Sequence, residues 1–525
     1  DNIVYLSEKS QSGQEGAQQG KERTITGQVS DDMGPLIGVN VLVKGTSVGC
    51  ITDFDGNFTL TTTEANPVIQ FSYVGYKTQE IAAKEQSVIN LMMESDSQLV
   101  EEVVVTALGI KRATKALSYN VQEIKSDELT RVKDANLVNS LSGKVAGVTI
   151  NASSSGVGGA SKVVMRGTKG IDQSSNALYV IDGVPMFNLS GEGGQEFDSK
   201  GSSEAIADIN PEDIESMSVL TGAAAAALYG SHAANGAIVI TTKKGKEGRL
   251  SLTVSQNTEF LRPFVTPNFY GTGDLLSSAG SVEKSWGNKL NPSNYMGYDP
   301  INDFLRTGVV ATETVSLSTG TEKNQTYFSA SAVNSVGMVP NNDYDRYNFT
   351  FRNTTSFLND KMTLDVSASY IKQKDQNMVN QGTYSNPLVT AYLFPRGDDW
   401  NEIKMYERWD TSRNIYTQYW PQGIDTFTGQ NPYWIAYRNL RENNKDRYML
   451  SGSLSYKILD WLSVSGRVRV DNSASTYTEK LYATSNTTLA EGSNNGLYGI
   501  SNTNDKQTYA DIMLNINKNF GENLT

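Results

Sequence analysis

The second half of the chain alternates apolar and polar residues with a period of two. In "KMTLDVSASYI", Met362, Leu364, Val366, Ala368 and Tyr370 share one face, and Thr363, Asp365, Ser367 and Ser369 share the other. In "WLSVSGRVRV", Leu462, Val464, Val468 and Val470 oppose Ser463, Ser465, Arg467 and Arg469. That period predicts strands. One apolar and one charged face fit a sandwich surface strand, or a membrane-barrel strand facing a wet lumen. About eight such strands are predicted, near 248–260, 311–320, 325–335, 345–358, 361–372, 446–458, 461–472 and 506–520. Their connections alternate. Long ones cover 261–310, 336–344, 373–445 and 473–505; short ones are "TEKN", "ND", "DW" and, at the chain end, "GEN". Long loops on one side and tight turns on the other are the layout of an outer-membrane barrel, with turns periplasmic and loops extracellular. Tyr327, Tyr347, Phe357, Tyr370, Tyr448, Tyr456, Trp461 and Phe520 fall near strand ends, where an aromatic girdle belongs.

The first half has a different rhythm. Residues 7–23 are Gln/Gly/Ser/Glu-rich and predict a linker. Residues 24–93 hold short alternating runs broken by turn signals, which predicts a small β-sandwich. Within it, Asp53, Asp55, Asn57 and Glu64 sit at calcium-loop spacing, but Phe58 occupies the place of the obligatory glycine. A tight turn at Asp55-Gly56 is the preferred reading. Residues 113–246 become mixed α/β. Asp134 is the expected N-cap of a helix carrying Leu137, Leu141 and Val145 on one face, and an alanine-rich helix begins near residue 223. The glycine-rich stretch 153–162 lacks the Gly-Lys-Ser/Thr ending of a phosphate loop and is expected to be a flexible loop. Between sandwich and α/β region, "SQLVEEVVVTALGIKR" puts a β-branched run in a linker with no evident partner strand.

Composition narrows the function. The net charge is −12 over 525 residues, with no basic stripe, which argues against a nucleic-acid partner. Cys50 and His232 are the single cysteine and histidine. No intrachain disulfide, cysteine zinc cluster or His-rich metal centre is therefore possible, and neither a metal nor any other cofactor is expected. No acid/base pair or nucleophile–base constellation stands out, so an enzyme is not expected. No apolar run is long enough for a transmembrane helix. The chain opens directly into "DNIVYL" and stops at "FGENLT", where a ninth strand should begin. Eight strands enclose a bore that only side chains can fill, whereas a lumen holding the α/β region needs about 22. The sequence is accordingly expected to be a fragment, truncated at the C-terminus and also at the N-terminus.

These residues resemble a known family. "EEVVVTALGIKR", "LSGKVAGVTI", "VVMRGTKG", "ALYVIDGVP" and "INPEDIESMSVLTGAAAAALYGSHAANGAIVITTKKG" are similar, in order and spacing, to the plug of SusC-like TonB-dependent outer-membrane transporters of Bacteroidetes. "TITGQVSD", "GVNVLVKGT", "TDFDGNFTL" and "FSYVGY" resemble the carboxypeptidase-regulatory-like sandwich that precedes it, and "DNIVYL" the last strand of a short secretin/TonB N-terminal domain. The resemblance implies a mainly β protein: a strand remnant and linker (1–23), the sandwich (24–94), a Ton box linker (95–112), an α/β plug (113–246) and the first strands of a transmembrane antiparallel β-barrel (247–525). It implies energised import of oligosaccharides or peptides across the outer membrane of a Gram-negative bacterium. The implied partners are TonB of the inner-membrane TonB-ExbB-ExbD complex, a SusD-like surface lipoprotein and outer-membrane lipid, with sandwich and Ton box in the periplasm.

By position the Ton box would be Glu102, Val103, Val104, Val105, Thr106 and Ala107. Either the run offers its edge to a partner sheet, or it packs on a neighbouring domain. Arg166-Gly167 matches the plug's Arg-Gly motif, Asp182-Gly183-Val184-Pro185 its Asp-Gly-x-Pro turn, and Gly230, Asn235 and Gly236 its "YGS-x-AANG" segment, where His232 replaces the more usual arginine. Arg166 could lock the plug to wall carboxylates, or be an ordinary exposed strand residue. Tyr419, Trp420, Tyr433 and Trp434, in the longest loop, could contact ligand or lid, or pack the loop against itself. Two alternatives remain. A siderophore or cobalamin receptor is disfavoured by the sandwich; a non-transporting surface adhesin or signalling receptor is the other.

Overall fold

The computed structural model describes residues 23–93 (apart from 32, 33, 47, 65, 74, 75, 77 and 85), 103–105, 111–113, 121–186 (apart from 132, 133, 152–154 and 168–175), 203–264, 266 and 299–518 (apart from 381, 383, 395–398 and 422–428). Residues 1–22, with "DNIVYL", lie outside that set.

The N-terminal unit is a sandwich of two four-stranded sheets. One sheet joins β1 (Arg23–Asp31), β2 (Gly34–Pro35), β5 (Asn57–Thr62) and β8 (Leu91–Met92); the other joins β3 (Asn40–Val43), β4 (Gly49–Ile51), β6 (Val68–Ser72) and β7 (Gln79–Ala82). Alternate residues such as Ile25, Val41, Phe58, Leu60, Ile69 and Phe71 point inward and form its core. Ahead of β5 the Asp53 carboxylate accepts from the backbone N–H of Asp55 (3.0 Å) and Asn57 (2.8 Å), and Gly56 takes φ +73°. Asp53 therefore shapes a turn, and no metal-ligating cluster occurs among the described residues.

The β-branched run is not alone. Its described part, β9 (Val103–Val105), pairs with β10 (Lys111–Ala113). Glu102, Thr106 and Ala107 lie outside the described residues.

The α/β region holds a five-stranded sheet in the order β11 (Val121–Lys125), β16 (Ile214–Leu220), β17 (Ala237–Thr242), β14 (Leu178–Ile181), β15 (Val184–Met186). The β14–β17 pair is parallel and the others are antiparallel. A separate hairpin joins β12 (Val148–Asn151) to β13 (Lys162–Met165). The central strands carry apolar residues on both faces, because both are covered. Tyr179, Ile181, Met217, Ile238 and Ile240 face one core, with Leu137 and Leu141; Leu178, Val180, Leu220 and Val239 face another, with Ala225. Besides α1 (Ser126–Thr130), the helix at 223 is α2 (Ala223–Tyr229), ended by Gly230 at φ +74°.

Two expectations fail here. The helix expected from Asp134 is a short 3-10 turn, Leu137–Leu141, capped by Asn136, whose side chain accepts from Val138 N–H. Asp134 instead accepts from Asn136 N–H at 2.8 Å and the Asn139 amide at 3.1 Å. Gly143 and Gly147, at φ +74° and +73°, stop the helix before a second turn forms. The described part of the glycine-rich stretch is packed rather than loose. Ser155 is fully buried and its carbonyl accepts from Val379 N–H at 3.0 Å. A Cβ on Gly158 would lie 2.2 Å from the Tyr344 ring.

Eight strands form one antiparallel sheet: β18 (Gly248–Leu261), β19 (Gly308–Gly320), β20 (Asn324–Val336), β21 (Asp343–Phe357), β22 (Met362–Gln376), β25 (Asn439–Leu459), β26 (Leu462–Leu481) and β27 (Leu497–Ile516). The eight expected strands are all present, several of them longer, and the sheet is an open wall rather than a closed barrel. On one face, Tyr344, Arg346, Asn348 and Arg352 turn toward the α/β region, where Arg346 donates to the carbonyls of Ala135 (2.8 Å) and Ala207. On the other face, Phe328, Phe349, Phe351, Leu364, Leu450, Leu454 and Val468 are exposed. Tyr347, Tyr370 and Tyr448 border this apolar band at one end, and Phe357 and Tyr456 at the other. The eight-residue step from Tyr448 to Tyr456 is about 27 Å of strand, or roughly 20 Å of height at the tilt usual in membrane barrels. Tyr327 leaves the expected girdle: it is buried on the inner face. Trp461 lies in the β25–β26 turn under Lys518, and Phe520 is outside the described residues. Among the described residues no helix is long and apolar enough to cross a membrane, which says nothing about strands.

The long connection after β22 is itself structured. It contains α4 (Pro387–Leu393), α5 (Trp400–Lys404), the hairpin β23 (Glu407–Asp410) to β24 (Ile415–Gln418), and α6 (Pro432–Arg438); α3 (Pro300–Asp303) precedes β19. Phe304, Phe394, Trp400, Ile403 and Trp420 build a core there.

Candidate functional site

The inner wall face grips the α/β region at three carboxylates. Asp208 ends a 3-10 helix, Ala205–Asp208, and is buried. Its oxygens take one cation each from β25: Lys445 Nζ at 2.6 Å and Arg447 Nη1 at 2.8 Å. Arg447 also holds Asp471 of β26, through Nη2 at 2.7 Å and Nε at 2.9 Å. Burial alone would raise the Asp208 pKa; Lys445 and Arg447 outweigh it and hold the carboxyl below the usual carboxylate range.

Asp182 is offered by a turn. Asp182 and Gly183, at φ +49° and +81°, form a two-residue hairpin loop of type I′ between β14 and β15, which glycine permits at its second position. The carboxylate accepts from Thr242 N–H (3.0 Å) and Oγ1 (2.7 Å), and pairs with Arg352 of β21 at 3.0 Å. Arg352 also grips Asp365 of β22 with two hydrogen bonds of 2.9 and 2.8 Å, and Lys244 reaches Asp365 at 2.6 Å. Around the same turn, Arg467 donates to the Asp182 carbonyl at 2.7 Å, Arg469 to that of Ile181 at 3.2 Å, and Gln507 to that of Pro185 at 2.9 Å.

The third carboxylate differs in kind. Asp213 is buried and has no ion pair among the described residues. It accepts from the Tyr327 hydroxyl at 3.0 Å and Thr350 Oγ1 at 2.9 Å. Burial pushes its pKa up, and the hydroxyl donors offset only part of that.

Arg166 does not take part. It is exposed at φ +56°, its N–H donates to the Gly147 carbonyl at 2.9 Å, and no carboxylate pairs with it among the described residues. Where Asp182 and Asp208 meet the wall, the carboxylate lies on the α/β region and the cation on the wall; Lys244 and Asp365 form the one opposite pair among the described residues. Gly167 follows it at φ +85°, and Gly236 at φ +105° lies under Met165, whose Sδ a Cβ would meet at 2.3 Å. Asn235 is half-buried and His232 exposed, near the start of β17.

Of the four loop aromatics, Trp420 and Trp434 are buried, and Tyr419 and Tyr433 are half-buried. Trp434 is fully buried and donates to Ser485 Oγ at 3.0 Å; Trp420 is in the loop core. The Tyr433 hydroxyl donates to the Asp303 carbonyl at 3.0 Å and accepts from Trp400 at 3.1 Å. Tyr419 donates to Glu402 and lies under Arg408, 3.3 Å from its ring centre. The loop thus packs partly on itself and partly on the connections before β19 and after β26. Among the described residues its exposed aromatics are Trp409 and Tyr416, paired across the β23–β24 hairpin with ring centres 5.1 Å apart.

Sequence reasoning missed Asp208, Asp213, Arg352, Lys445 and Arg447. The signal for the last two was present: in "NLRENNKDRYML", Arg441, Lys445 and Arg447 share one face of a strand.

Comparison with known proteins bears on the domains that make up this chain. Residues 113–237 match the TonB-dependent Receptor Plug Domain model, and residues 25–105 match the CarboxypepD_reg-like domain. The chain is 33% identical over 360 residues to the TonB-dependent receptor SusC of Bacteroides thetaiotaomicron, covering 67% of this chain and 34% of that protein. It is 28% identical over 510 residues to the TonB-dependent receptor P3 of Formosa agariphila, covering 95% and 47% respectively. It therefore spans a third to a half of the length of these relatives. A structure of the RagAB peptide importer in its open-open state shares the fold, with a TM-score of 0.53 at 20% identity over 73% of this chain and 43% of that one. Receptors of this kind are outer-membrane β-barrel proteins. The chain is a homologue of the TonB-dependent receptor SusC, with a plug domain, a CarboxypepD_reg-like domain and part of a β-barrel wall.

Proposed function

We propose that this chain belongs to an active importer of oligosaccharides or peptides, driven by TonB of the TonB-ExbB-ExbD complex and working with a SusD-like surface lipoprotein. The observation that carries the reading is a plug domain fastened to a barrel wall by a partly buried ion pair at Asp182 and a buried pair of cations at Asp208. An interface of this kind is specific in register and weak for its area, because desolvation cancels much of the Coulomb gain. It suits a closure that must hold at rest and give way under load.

Residues 102–107 are the handle. A strand has two edges; pairing of Val103–Val105 with Lys111–Ala113 uses one, and the other can extend a partner's sheet. Arg166 has no role as a lock in this reading; Asp182 and Asp208 take it. Oligosaccharide and peptide cargo are both consistent with the relatives, one of which is SusC and another, by fold alone, a peptide importer. Deleting residues 102–107 from the intact protein is expected to abolish uptake of its cargo while surface binding persists. Undiminished uptake by that variant overturns the proposal.

A further inference from the structure

We propose that residues 377–380 form a strap that couples the seating of the plug to the fold of the long loop after β22, so that unseating the plug loosens the loop. The strap follows β22 directly. Met378 enters a core shared by plug and wall, with Ala135, Val157, Val333 and Tyr344. Val379, the next residue, enters the loop core beside Phe304, Ala391, Phe394 and Trp400. Both side chains are buried. One peptide bond thus joins two cores that share no residue.

The plug holds the strap by its backbone. Val379 N–H donates to the carbonyl of the fully buried Ser155 at 3.0 Å. Around that bond the plug has glycines where a side chain would not fit. A Cβ on Gly156 would lie 2.8 Å from Asn342 Oδ1, and one on Gly158 2.2 Å from the Tyr344 ring. Asn342 in turn donates to the carbonyls of Gln376 and Asn377, at 3.2 and 3.0 Å. A shift of 155–158 therefore meets the root of the strap.

The loop and the wall hold the other side. The Asn377 amide donates to the Ala436 carbonyl of α6 at 3.2 Å, and its Oδ1 accepts from Arg441 N–H at 2.8 Å. Asn380 is 1% exposed; it donates to the Tyr384 carbonyl at 3.1 Å and accepts from Arg441 Nη1. A close-packed segment fixed on both sides transmits displacement rather than absorbing it. Among the described residues the loop core contains no plug residue, and regions packed in separate cores open separately unless a link joins them. Such a link is reciprocal: the stabilisation that the seated plug lends to the loop, the folded loop lends to the plug. Its role in import rests on the proposed function: a pull from the periplasm that unseats the plug frees the loop at the far end of the wall in the same step.

The test is hydrogen exchange read by mass spectrometry on the intact protein in detergent, with neither TonB nor cargo present. Phe394→Leu thins the loop core and should speed exchange of residues 155–165 in the plug about fivefold, with β5 of the sandwich and β21 of the wall unchanged. Gly158→Ala perturbs the plug side and should speed exchange of α4 and α5 by a similar factor. Val379→Pro removes the N–H that Ser155 accepts from, and in that background Phe394→Leu should no longer reach 155–165. Unchanged exchange of the distant segment in either of the first two variants overturns the proposal. So does an effect that survives Val379→Pro, or a rise that spreads alike to β5 and β21. Failure here leaves the import reading standing, because uptake after deletion of 102–107 tests that reading by itself.

Discussion

Replacing Asp208 with asparagine would remove one negative charge from a site that is 1% exposed and keep its shape. Two cations lose their partner unequally. Lys445 Nζ, 2.6 Å away, keeps a 3.4 Å contact to Ser203 Oγ and the attraction of the buried Asp375 carboxylate, whereas Arg447 keeps both hydrogen bonds to Asp471. Stranding a buried charge costs about 3–5 kcal/mol, and the rescue of Arg447 by Asp471 argues for the lower end. The exposed pair Lys44–Glu80, at the same 2.6 Å, is the internal control; breaking it should cost under about 1 kcal/mol. The assay is urea unfolding followed by hydrogen exchange of the plug segment 203–213, which reports local opening apart from global unfolding. The segment should lose protection in Asp208→Asn, and Lys445→Met in the same background should restore part of it, because the stranded ammonium is then gone. The acid limb gives a second check. The Asp208 carboxyl is held below its unfolded value near 3.9, so its stabilisation is present above about pH 4 and fades as pH falls toward the folded value. A loss below about 1 kcal/mol, or no rescue by Lys445→Met, would refute the idea that this pair anchors the plug.

Three further outcomes follow from named contacts. Gly158→Ala drives a Cβ to 2.2 Å from the Tyr344 ring at φ +76°, so it should lower stability by about 1–3 kcal/mol; a neutral result in urea unfolding would show that the glycine-rich stretch is not wedged against the wall. Trp434→Ala empties a fully buried site and should cost about 3–5 kcal/mol, while Trp409→Ala, on a half-exposed ring, should cost under about 1 kcal/mol; equal losses in thermal unfolding would contradict the packed loop. Asp213 has a raised pKa, so its contribution is fully present below the unfolded value and is lost as pH rises through the folded one. Stability should therefore fall over that window in the parent and flatten in Asp213→Asn, and parallel profiles would show that Asp213 is not the titrating group.

The strands of the wall are legible in the sequence because period-two alternation is enforced by two different solvents, one on each face. The same alternation puts Arg467 and Arg469 on the polar face, and both do reach the plug, at the carbonyls of Asp182 and Ile181. The acidic half of the seam is not legible in that way. Asp208 and Asp213 sit in short 3-10 turns of "EAIADINPEDIE", where no periodicity separates a buried carboxylate from a solvated one. Arg166 is the complementary case: its motif is visible, but sequence carries no information about where an exposed side chain at positive φ points. Trp420 and Trp434 prove to be core residues, which sequence could not tell, since tyrosine and tryptophan serve cores and ligand surfaces alike. The β9 run sharpens the point. Its β propensity marks it as a strand with an edge to fill, and Lys111–Ala113 fills one side. A three-residue pairing is short enough to exchange, and the anchors at Asp182 and Asp208 are charge pairs rather than apolar packing. Both ends of the proposed pulling path are thus built from contacts that can open without unfolding the wall, whose strands run 13 to 21 residues each. The load should spend itself on the seam, and the sheet should survive it.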